Sequence, residues 1–106
     1  MERNRFEGRD EWIAAVDRAL RHADAFPLLA AKALDRGTVL TVAHVEASQA
    51  SDTGVSTLSH ARLARLTGLP RWVVLRARLA LIELGLEDLA CAPGAHLQLR
   101  RELRHR

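Results

Sequence analysis

Between Asp10 and Ala23 the apolar residues Trp12, Ile13, Val16, Leu20 and Ala23 recur at steps of three and four. That spacing predicts an amphipathic helix beginning at Glu11 and capped by Asp10. Its polar face would hold Asp17, Arg18, Arg21 and Asp24. Pro27 suits the first turn of a second, short helix carrying Leu28, Leu29, Ala33 and Leu34, closed by Gly37. Thr38 is expected to cap a third helix. Its residues Val39, Leu40, Val42, Ala43 and Val45 are apolar on most sides, which places it centrally. The stretch ASQASDTGVST reads as a polar loop.

Ser59 then caps a helix over HARLARLT, and GLP breaks it. A further helix follows Pro70, runs to Leu84 and stops at Gly85. Beyond Gly85 the period changes. Leu97 and Leu99 alternate with His96, Gln98 and Arg100, and Pro93-Gly94 supplies a turn. These residues predict a two-stranded hairpin followed by a basic tail, 101–106.

The helix after Pro70 carries two apolar faces. At about 100° per residue, Val73, Val74, Ala77, Leu81 and Leu84 fall on one side. Trp72, Leu75, Leu79, Ile82 and Leu86 fall on nearly the opposite side. Arg71 and Arg78 occupy one gap; Arg76, Ala80 and Glu83 occupy the other. Burying four such side chains stabilises by roughly 6 to 12 kcal/mol, so the second face calls for a cover. Three covers fit: the N-terminal helices, a second copy, or another protein. The reading adopted leaves Trp72 near the surface. It covers Leu79, Ile82 and Leu86 with an N-terminal helix or a second subunit. Trp12, Val16, Leu20, Leu79 and Ile82 are then the expected dimer or partner interface.

Composition adds three constraints. The chain has 106 residues, 48% of them hydrophobic, enough for one domain with one core. The single cysteine, Cys91, excludes an internal disulfide. No apolar run approaches a membrane span and the N-terminus has no apolar leader, so a cytoplasmic protein is expected. The five histidines show no metal-ligand spacing, and no phosphate loop, nucleophile elbow or carboxylate pair appears. No enzyme, cofactor or metal is expected.

Charge is distributed unevenly. Of the 16 basic residues 15 are Arg, and between Thr53 and Ile82 there are five Arg and no acid. That asymmetry suits a polyanion-binding surface. Arg62 and Arg65, on the outer side of the helix after Ser59, suit phosphate contacts, and so does His60 at its start.

Leu63, Ala64, Gly68, Leu69, Val74, Leu81, Leu84, Gly85 and Leu86 carry a family resemblance. Residues 58–100 resemble a winged helix-turn-helix of the kind found in bacterial regulators and in plasmid or phage replication initiators. Ala64 is small where the two helices would cross, Gly68 permits the turn, and the hairpin would be the wing.

The resemblance implies a mainly α fold, a winged helix-turn-helix over 38–100 with a two-stranded wing; the additional N-terminal helices over 9–37 lie outside it and are expected, from their apolar face, to serve as a dimerisation arm. It implies duplex DNA as partner, a homodimer, and a role in transcription regulation, replication or partition. By position, the base-reading residues are Arg71, Trp72, Leu75 and Arg76, after Pro70, and wing phosphate contacts are Arg100 and Arg101. Two of these depart from the pattern, since Trp72 and Leu75 offer no hydrogen bond to a base edge. The alternative is a protein-docking module using Trp72, Leu75 and Leu79.

Overall fold

Five helices and a small three-stranded antiparallel sheet form the fold in the computed structural model, which describes residues 8–92 and 98–103. The helices are α1 (Arg9–Arg21), α2 (Ala25–Ala31), α3 (Arg36–Gln49), α4 (His60–Thr67) and α5 (Arg71–Glu83). The strands are β1 (Val55–Ser56), β2 (Glu87–Ala92) and β3 (Gln98–Leu103). The sheet order is β1-β3-β2, so β3 lies between the other two.

The helix caps follow the chemistry of their residues, with two shifts from expectation. The Ser59 side chain accepts from the Arg62 amide, as a serine before a helix should. Gly68 ends α4 at φ 75°, in the left-handed region that a side chain disfavours. α3 starts earlier than expected. Asp35, not Thr38, is its cap, and the Asp35 carboxylate accepts from the Thr38 amide at 2.7 Å. Gly37 therefore sits in the first turn of α3 rather than closing α2. α1 likewise begins two residues early, at Arg9 rather than Glu11, with Gly8 as its cap and Asp10 inside the helix.

The polar loop is shorter than its composition suggests. α3 continues through Gln49, and Val55 and Ser56 pair with Glu102 and Arg101 of β3. β3 itself runs on to Leu103, so half of the expected tail is strand. The turn at Pro93-Gly94, and with it His96 and Leu97, lies outside the described residues.

The N-terminal helices are part of the core, not an arm. Trp12, Val16 and Leu20 of α1 are at most 1% exposed and pack with Val39, Val42 and Ala43 of α3. Leu63 of α4 and Val74, Ala77 and Leu81 of α5 complete the same cluster. The Trp12 indole N–H donates to the Leu86 carbonyl at 2.7 Å, fastening α1 to the chain between α5 and β2. This corrects the expectation that Trp12, Val16 and Leu20 face a partner: their apolar area is consumed within the chain.

No helix among the described residues is long and apolar enough to cross a membrane.

Candidate nucleic-acid interface

α4 and α5 meet through the Gly68 turn, and the turn decides which residues face outward. Thr67 Oγ1 donates back to the Leu63 carbonyl and accepts from the Leu69 amide, which holds the reversal of direction. Pro70, with φ −61°, then precedes the first turn of α5. An open groove beside the turn is lined by Ala61, Ala64, Arg65, Gly68, Leu69, Pro70 and Arg71. Arg65 of α4 and Arg71 of α5 thus border one surface.

Five residues of α5 form its outward stripe before Glu83: Arg71, Trp72, Leu75, Arg76 and Leu79, all exposed. The four expected base-reading residues are therefore together on one face. Trp72 is 53% exposed, Leu75 42% and Leu79 42%. The second apolar face is only partly covered. Leu86 is buried, Ile82 is half-buried and Leu79 is exposed. On α4, Arg62 and Arg65 are exposed.

Arg76 is not a loose cation. Its guanidinium lies over the Trp72 ring, 4.8 Å from the centroid, and its Nη1 donates to the Lys32 carbonyl at 3.3 Å. Stacking of this kind holds both side chains at small electrostatic cost. The Lys32 ammonium pairs with Glu83, the one acidic residue of α5. Glu83 is thereby neutralised at the edge of an otherwise basic face.

Behind this face lies a buried charged cluster that the sequence reading missed. Arg78 is 1% exposed, and its Nε and Nη2 reach the same Glu46 oxygen at 3.1 and 2.6 Å. Its Nη1 donates to His60 Nδ1 at 3.0 Å, so α3, α4 and α5 converge on one guanidinium. On the sheet, Arg101 Nη1 donates to Glu87 Oε1 at 2.7 Å. Glu46 Oε1 and Glu87 Oε2 are buried and receive no donor from either arginine or the backbone. The two carboxyls are neighbours, and a proton on one relieves their repulsion. Burial, with Glu46 beside it, pushes Glu87 up to about 8, so Glu87 carries that proton at neutral pH.

This cluster corrects one expected phosphate contact, Arg101, and constrains a second, His60. Arg101 is 7% exposed and tied to Glu87, so it does not project from the sheet surface. His60 is half-buried, and its Nδ1 is occupied by Arg78. Burial and the neighbouring Arg78 hold its pKa below the ordinary histidine value, which favours the neutral ring with its hydrogen on Nε2. The side chain of Arg100 lies outside the described residues. The signal for the cluster was present but ambiguous: Arg78 interrupts an apolar run, which reads equally as a solvated position.

Among the described residues no group of His, Cys, Asp and Glu is placed to hold a metal ion. No family model, curated protein or solved structure matches this chain.

Proposed function

We propose that this protein binds duplex DNA as a winged helix-turn-helix, with α5 as the recognition helix and α4 as the positioning helix. The hairpin of β2 and β3, directly after α5, would be the wing. The observation that carries the reading is the arrangement of charge on the surface. Arg62, Arg65, Arg71 and Arg76 are all exposed on α4 and α5, and the only acid on either helix, Glu83, is paired with Lys32. Such a face attracts a polyanion and repels none of its phosphates. Arg71 and Arg76 enter the major groove, while Arg62 and Arg65 hold the backbone. Transcription regulation, plasmid or phage replication, and partition are the roles this fits, in the cytoplasm.

A second reading has support from the exposed Trp72, Leu75 and Leu79, which suit docking of a protein. A homodimer through Leu79 and the half-buried Ile82 would use the same face, so it competes with DNA for α5 rather than presenting two recognition helices.

Fluorescence anisotropy with a ~30-base-pair duplex, titrated at three salt concentrations, tests the proposal. The two arginines that hold phosphates, Arg62 and Arg65, give a slope of log K on log salt of about −2. Arg62→Ala or Arg65→Ala reduces that slope by about 1, whereas Arg71→Ala with Arg76→Ala lowers affinity and leaves the slope nearly unchanged. Absence of binding at low salt overturns the DNA reading and favours docking.

A further inference from the structure

A protein reads a base pair in the major groove through donors and acceptors or through apolar contact with the thymine methyl. The outward face of α5 is poor in the first and rich in the second. Its hydrogen-bonding side chains are Arg71 and Arg76, and part of the Arg76 guanidinium is taken up by the Trp72 ring and the Lys32 carbonyl. Trp72, Leu75 and Leu79 are spaced at i, i+3 and i+7, so they line one side of the helix. Each exposes two fifths or more of its surface.

Resting on the DNA reading above, we propose that this stripe recognises the C5-methyl groups of thymines. Trp72 and Leu75, on the first two turns of α5, make the contacts, and Leu79 extends them by a turn. Charge complementarity selects this occupant over an apolar protein surface. Arg65 and Arg71 border one groove beside the α4–α5 turn, Arg62 is exposed on α4, and Glu83 is cancelled by Lys32. An apolar partner would leave those arginines against uncharged surface, whereas a duplex places phosphates beside them and methyls beneath the stripe. The ligand class is duplex DNA rich in A·T pairs.

Replacing thymine by deoxyuridine removes the methyl and leaves every Watson–Crick group in place. The experiment measures anisotropy with the full chain on three duplexes of equal length: A·T-rich, the same sequence with deoxyuridine for thymine, and G·C-rich. The thymine duplex is expected to bind tighter than its deoxyuridine counterpart, by about fourfold for each methyl covered. Trp72→Ala with Leu75→Ala should bring that ratio towards one while salt-dependent binding persists. Equal affinity for thymine and deoxyuridine duplexes overturns methyl recognition and leaves DNA binding standing. A ratio that survives in the double variant also overturns it, because the preference then lies in duplex shape. No binding to any of the three removes the DNA reading itself.

Discussion

Arg78 on α5 and Glu46 on α3 form an ion pair that is almost wholly withdrawn from water, with Nη2 2.6 Å from Oε2. A charge in such a place is tolerated only with its partner. Truncating Arg78→Ala leaves the Glu46 carboxylate buried without its countercharge, which costs about 3 to 5 kcal/mol. A domain of this size has on the order of 5 to 15 kcal/mol in total. The variant should therefore unfold at much lower urea, while Arg78→Met with Glu46→Leu should recover most of the loss. A double variant as unstable as the single one would show that the pair is not the source of the effect.

Glu87 makes stability depend on pH with a definite sign. Its pKa rises from an ordinary 4.5 to about 8 in the fold, so the folded state holds a proton that the unfolded chain releases. The stabilisation is complete below about 4.5 and is lost as pH rises towards 8. Glu87→Gln keeps an acceptor for Arg101 and a donor for Glu46 without a titration. Urea unfolding across that range should show wild-type stability falling with pH and a flatter profile for the variant. Parallel profiles would place the proton elsewhere.

Trp12→Phe preserves the aromatic body in the core but removes the N–H that satisfies the Leu86 carbonyl. A buried acceptor left without its donor costs about 1 to 3 kcal/mol. Thermal unfolding followed by circular dichroism measures the loss. An unchanged midpoint would mean that water reaches that carbonyl.

Gly68→Ala isolates a backbone effect. A Cβ built at Gly68 meets nothing within 4 Å, yet φ is +75°. The cost is that of the left-handed conformation alone, about 1 to 2 kcal/mol. The α4–α5 turn should survive, and DNA affinity measured well below the melting temperature should be retained. Lost binding in a folded variant would mean that the turn geometry had shifted.

Leu79→Asp separates the exposed face from the core. Leu79 is 42% exposed, so the fold should change by no more than about 0.5 kcal/mol. DNA binding should weaken, because a carboxylate then sits among the arginines. A collapse of stability, seen in urea, would mean that Leu79 is covered by a second copy.

The sequence by itself determined the helices, the turn and the outward stripe. Period-3.6 apolar spacing marks α1, α4 and α5, because one face of each must leave water. Ser59, Gly68 and Gly85 act through their own local geometry, which no distant contact alters. Arg71, Trp72, Leu75 and Arg76 share a face because helical spacing alone puts them there. The tertiary structure decided what covers each face. α1 docks on α3 and consumes Trp12, Val16 and Leu20, a pairing between faces that periodicity cannot choose. β1 is two residues long, and it exists only because β3 passes beside it. Arg78 and Arg101 went inward because Glu46 and Glu87, 32 and 14 residues away in the chain, wait there to meet them. A buried charge is stable only through such long-range partners, so its place is a property of the packed molecule and not of the residues around it in sequence.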